Sequence, residues 1–145
     1  MLKALLQPDG LHRGEIHLPA GRRSEVSGKH FNVGFSGPDA EDRKEIERFI
    51  FDSFSQSHGA HVHHFMPQLL TLRGGDGKLF AACGLRIAGS ERLFLEAYLD
   101  EPIDEVISRK TGKRVGRADI VEIGNLAGFT PGIGRRLIAV LAAHL

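Results

Sequence analysis

At 145 residues, 41% hydrophobic and 26% charged, the chain has the length and composition of a soluble globular protein with one core, which excludes a wholly disordered chain. A formal net charge of +1 excludes global attraction to nucleic acid or to an anionic membrane, so either partner would need a local patch. The lone Cys83 excludes an internal disulfide, and no run approaches the roughly 18 apolar residues of a spanning helix.

Leu2 to Leu6 is too short for the apolar region of a secretion signal and no small-residue cleavage site follows it, so the expected compartment is the cytoplasm. Residues 1–29 mix Gly, Pro and charge without periodicity and read as an N-terminal arm, mobile or docked on a sheet edge, ahead of a domain over residues 30–145. His30 to Phe35 alternates, with Phe31, Val33 and Phe35 on one face of a first strand. Asp39 is placed to cap a helix whose first turn carries Glu41 and Asp42, whose core stripe is Ile46, Phe49, Ile50 and Phe54, and which Gly59 closes.

His58, His61, His63 and His64 follow at metal-ligand spacing, but with neither cysteine nor carboxylate among them, so no metal site is expected. Gln68 to Arg73 and Lys78 to Ile87 read as an antiparallel pair joined by Gly74-Gly75-Asp76-Gly77. Leu93 to Leu99 is expected to extend the sheet, and Asp100, Glu101 and Pro102 to start a short helix through about Ser108. Arg109, Lys110, Lys113, Arg114 and Arg117 then form either a solvated basic turn or a dock for an anionic partner such as an acyl carrier protein. Single-stranded nucleic acid is disfavoured because no aromatic side chain interleaves with these charges.

Ile120 to Ala127 reads as a buried central strand that stops at Gly128. Thr130 and Pro131 are suited to the cap and first position of a helix, and Gly132 and Gly134 fall in its first turn, where each glycine disfavours helix by about 1 kcal/mol. Close approach of a ligand to the backbone amides of a helix start would explain them, and Arg135 and Arg136 agree with a phosphate there. The plainer reading is a tight turn followed by two solvated arginines. Leu137, Ile138, Leu141 and Leu145 make the helix apolar enough to be buried on most sides.

Gly132-Ile-Gly-Arg-Arg-Leu-Ile138 after an apolar strand resembles the pyrophosphate loop of GNAT-type N-acyltransferases, with Phe129 departing from the polar residue usual there. Leu93-Phe-Leu-Glu-Ala-Tyr-Leu-Asp-Glu-Pro-Ile103 and Ile120-Val-Glu-Ile-Gly-Asn-Leu-Ala127 resemble the thermostable haemolysin family, whose members share that architecture. The resemblance spans roughly residue 30 to the end. It implies an α+β fold with a mixed, mainly antiparallel sheet flanked by helices, and a further strand beyond Leu145. Without that strand the 145 residues are expected to be poorly soluble or partly molten.

It also implies an acyl-CoA or acyl carrier protein as donor, held by Ala127, Gly132, Ile133, Gly134 and Arg135, and an amine as acceptor. Glu122 is the candidate general base and Asn125 its companion; strict alternation separates them, and a bulge at Gly124 would bring them to one face. Glu122 could instead simply pair an arginine from a neighbouring element. Acyl-homoserine lactone synthases carry Glu-x-x-Arg on the corresponding strand, and here Asn125 puts a neutral amide in place of that arginine. A non-catalytic protein acting through lipid or protein contact is the alternative outside enzymology.

Overall fold

The computed structural model describes residues 14–16 and 31–144. The apolar alternation at residues 31–35 becomes β2 (Phe31–Ser36), which pairs antiparallel with β1 (Gly14–Ile16) on one side and with β3 (Gln68–Gly74) on the other. β3 turns back into β4 (Leu79–Ile87), as the glycine-rich connection predicts, and β4 pairs antiparallel with β5 (Val121–Gly128). The sheet therefore runs β1-β2-β3-β4-β5 in space, every neighbour antiparallel, and the fold class is α+β. β1 shows part of the expected arm docked on the sheet edge; the rest of residues 1–29 lies outside the described residues.

Three helices accompany the sheet: α1 (Arg43–His58), α2 (Ile103–Thr111) and α3 (Ile133–His144). On one face Ile46 and Ile50 of α1 pack on Leu69, Ala82 and Ala127. On the other, Leu137, Val140 and Leu141 of α3 pack on Val33, Leu70 and Cys83. Each fully buried Leu or Ile contributes about 1.5–3 kcal/mol, so the alternating strands are held between two apolar layers that fix their register. Burial pushes the Cys83 thiol up to about 12, as expected of a core cysteine.

Several local expectations shift. Residues 37–40 form a turn first, with the Ala40 amide donating to the Gly37 carbonyl, so α1 begins at Arg43 and not just after Asp39. Asp42, just ahead of the helix, accepts the Ser36 hydroxyl at 2.6 Å and pairs with Arg73 at 3.2 Å, tying the helix start to β2 and β3. Gly59 does close α1, in the left-handed conformation: its amide donates to the Ser55 carbonyl at 3.0 Å and that of Ala60 to the Phe54 carbonyl at 3.4 Å.

Leu93 to Leu99 is not a strand: Leu95–Tyr98 is a turn of 3₁₀ helix, because Glu96 folds inward and Glu122 captures the amides that a sheet would have used. β5 is the last strand of the described sheet and is half-buried rather than buried, with Ile123 and Leu126 partly exposed. α3 begins at Ile133, beyond Pro131, and buries one face only, since Ile138 is exposed.

Candidate functional site

The start of β5 is fastened by two carboxylates. Glu96 is buried, and its oxygens accept the Leu93 and Ile103 amides at 2.9 and 3.0 Å and both terminal nitrogens of Arg117 at 2.6 and 3.0 Å. These donors all favour the charged form, and they hold the Glu96 carboxyl far below the usual carboxylate range while the Arg117 guanidinium is raised. Asp104 adds a second acid at 3.3 Å, so a short network joins the 3₁₀ turn, the start of α2 and the approach to β5.

Glu122 lies next along the strand. Its two oxygens accept the amides of Phe94 and Leu95 at 3.0 and 2.8 Å, and Arg86, its register partner on β4, stands 3.8 Å away. The side chain is 13% exposed. Glu122 therefore does pair an arginine from a neighbouring strand, and it also caps the segment that carries Phe94 and Leu95. Each carboxylate oxygen has a second lone pair, so these contacts leave Glu122 able to accept a further proton or hydrogen bond.

The strand then breaks phase. Gly84 faces Gly124, but the next registered pair is Ala82 with Ala127, so β5 carries one residue more than β4 over this stretch. This is a β-bulge, placed one residue beyond the Gly124 of the expectation: Asn125 takes the positive φ of 50°. Glu122, as partner of Arg86, and Asn125, whose Nδ2 donates to the His64 carbonyl at 3.4 Å, consequently face the α1 side together. Asn125 Oδ1 is buried and has no hydrogen-bond partner among the described residues.

Beyond the bulge Ala127 buries its side chain in the α1-side core, and the Gly128 amide donates to the Ser53 hydroxyl at 3.1 Å. Gly132 sits just before α3 at φ 81°, a left-handed conformation that costs other residues about 1–2 kcal/mol, so backbone geometry explains this glycine directly. Gly134 has no such requirement, since a side chain there would meet only Leu126 at ordinary contact distance. Ile133 donates to the Thr130 carbonyl at 3.1 Å and buries its side chain. Among the described residues the amides of Gly132, Gly134 and Arg135 have no partner, and Arg135 is exposed. The helix start thus presents open N–H groups beside a cation, an arrangement that suits an anion.

The basic cluster divides. Arg117 is committed to Glu96 and Asp104, and Arg109 pairs with Glu101. Lys110, Lys113 and Arg114 are exposed and have no ion pair among the described residues. The histidine segment lies against α1, where the rings of His61 and His63 stand 5.4 and 6.3 Å from that of Phe51. Sequence reading missed Glu96. The signal was an acid inside the apolar run 93–99, but its partner stands 21 residues further on and neither periodicity nor spacing connects them.

An α+β protein with an antiparallel sheet, a bulged last strand and a glycine-bearing turn into a helix is the class these elements define. The chain belongs to the thermostable hemolysin family, whose sequence model matches residues 36–145, the whole of the described fold from the end of β2 onward. Neither a curated protein nor a solved structure matches it. No helix among the described residues is long and apolar enough to cross a membrane.

Proposed function

We propose that this member of the thermostable hemolysin family is an acyltransferase of GNAT-like architecture. It would bind a phosphate-bearing acyl donor, acyl-CoA or acyl carrier protein, and transfer the acyl group to an amine. The observation that carries this reading is the run from bulged strand to open helix start. The amides of Gly132, Gly134 and Arg135 are available to a phosphate, and Asn125 and Glu122 lie upstream on the same strand. Gly134 supports it in particular, because nothing in the packing around it demands a glycine.

In the proposed reaction the acceptor nitrogen attacks the thioester carbonyl carbon. A C–N bond forms, the C–S bond breaks, and the electron pair leaves on sulfur as thiolate. The proton lost by nitrogen passes to Glu122, whose position is fixed by the Phe94 and Leu95 amides, and returns from there to the thiolate. Asn125 orients the acceptor. Ala127 contributes backbone beside the thioester, and Ile133 holds the turn in shape through its bond to Thr130. Lys110, Lys113 and Arg114 are the cations available to a carrier protein, with Arg109 and Arg117 held in pairs behind them.

Binding of coenzyme A to the protein and to Gly134→Asp tests the donor site. A Cβ at this position meets only Leu126 at ordinary contact distance, and a carboxylate among the open amides should weaken binding by tenfold or more. Equal affinity would remove the loop assignment.

A second reading has its own observation. Phe94 and Tyr98 are 62% and 74% exposed, stack edge to face at 5.6 Å, and adjoin the exposed Leu95. Such a patch suits lipid or protein contact by a non-catalytic protein. Lysis of erythrocytes that is lost in Phe94→Ser with Tyr98→Ser, but unchanged in Glu122→Gln, would favour it.

A further inference from the structure

Five cations stand between Arg109 and Arg117 with no acid among them, and the fold pairs only the first and the last, with Glu101 and with Glu96 and Asp104. Lys110, Lys113 and Arg114 are exposed and have no ion pair among the described residues, yet the backbone that carries them is fixed. The Thr111 hydroxyl donates to the Ile107 carbonyl at 2.9 Å and accepts the Lys113 amide at 3.4 Å, the Ser108 hydroxyl accepts the Val115 amide at 2.9 Å, and Gly112 makes the bend at φ 68°. Val115 then packs against the small core of Ile103 and Ile120. The C-terminus of α2 favours a cation at Lys110, but Lys113 and Arg114 lie beyond the helix, so the turn holds like charges together where an anionic partner would stabilise them.

This turn belongs to the end of β5 that carries Glu122. Arg117 binds Glu96 at 2.6 and 3.0 Å, and Leu95, the residue before Glu96, donates its amide to Glu122 at 2.8 Å. The open helix start lies at the other end of the strand, where Gly134 faces Leu126 and Gly128 lies against Ile133. Val121 to Gly128 covers on the order of 20 Å of strand. The outer phosphate of coenzyme A sits on the same nucleotide as its pyrophosphate, so a coenzyme A held at the start of α3 keeps both away from Lys113 and Arg114. With coenzyme A as donor, these cations are left to the other substrate, whose amine goes to Glu122.

We propose that the turn docks a peptide whose amine is flanked by carboxylates: the ammonium meets Glu122, and the acidic flank lies on Lys110, Lys113 and Arg114. The two surfaces are complementary in sign at both points, an anion for the cationic head and cations for the acidic flank. A peptide amine suits the reaction better than a nucleobase amine, whose lone pair is delocalised into the ring, and no aromatic side chain interleaves with these cations to stack a base. Calling the peptide the acyl acceptor rests on the proposed function above; its docking does not.

A dye-labelled lysine peptide with a tri-aspartate tail, followed by fluorescence anisotropy at low salt, tests the docking. It should bind about tenfold or more tightly than the same peptide with asparagines in the tail, and Lys113→Glu with Arg114→Glu should abolish that difference while leaving the affinity for coenzyme A unchanged. Norleucine in place of the peptide's lysine should weaken binding to the natural protein and make no difference in Glu122→Gln. Equal binding of the acidic and neutral peptides, loss of coenzyme A affinity in the charge-reversed variant, or competition by a single-stranded oligonucleotide or by phosphatidylserine vesicles as strong as that by unlabelled acidic peptide would overturn the proposal. Acidic-peptide binding in a protein that fails to bind coenzyme A would keep the docking surface and remove only the acceptor role.

Discussion

The two ends of β5 are built on opposite terms. At its start, buried charge is matched: Glu96 receives two amides and a bidentate arginine, and Glu122 receives two more amides and Arg86. At its end the polar groups are left open, with Asn125 Oδ1 unmatched and the amides of Gly132, Gly134 and Arg135 without partners among the described residues. Apart from Arg86 Nε, which is buried without a hydrogen-bond partner among the described residues, the groups that fasten the start of β5 are satisfied within the fold. The groups left unsatisfied beside glycines are those on which the proposed site at the bulge and helix start is built.

The largest effect should come from breaking the matched end. Glu96→Gln leaves Arg117 without its carboxylate and weakens the caps on Leu93 and Ile103, so it should lower the thermal midpoint more than any glycine substitution at the open end. The same group sets a pH dependence. Because its folded-state pKa is depressed, its stabilisation is complete above the ordinary glutamate value near ~4.3 and is lost progressively as pH falls below that. Chemical denaturation from pH 6 to pH 3 should show this decline in the natural protein and a shallower one in Glu96→Gln.

At the open end the glycines should separate by role. Gly128→Ala would drive a Cβ into Ile133 Cγ2 and close to the Phe80 carbonyl, an overpacking expected to cost about 1–3 kcal/mol in denaturant unfolding. Gly132→Ala should cost about 1–2 kcal/mol through its positive φ. Gly134→Ala, in contrast, should be neutral or stabilise by up to about 1 kcal/mol, since it sits in helix with room for a methyl. A loss of stability at Gly134 as large as that at Gly132 would mean that the fold itself requires both.

Elements that rest on local pattern are legible in the sequence: the β3–β4 hairpin, the core stripe and glycine stop of α1, and the acid-led start of α2. The run 93–99 misleads because apolar alternation is common to strands and to short turns with exposed aromatics; tertiary capture of two amides by Glu122 decides between them. At Gly132 composition suggests close approach of a ligand, and the left-handed backbone gives a sufficient reason that composition does not reveal. The bulge lies one residue beyond the glycine that marks it in the sequence, because the side-chain amide of Asn125 tolerates the left-handed conformation as well. The Glu96–Arg117 pair and the packing of Met66 on Gly84 and Gly124 depend on residues brought together only by folding, and no spacing rule marks them.

The most direct test of the open helix start is residue-specific. In ¹⁵N-labelled protein titrated with coenzyme A, the amide signals of Gly132, Gly134 and Arg135 should shift together and saturate, while those of Leu93 and Ile103, which donate to Glu96, stay in place. Saturable binding that leaves the amides of Gly132, Gly134 and Arg135 unmoved, or an absence of binding at millimolar coenzyme A, would contradict a phosphate site at the start of α3.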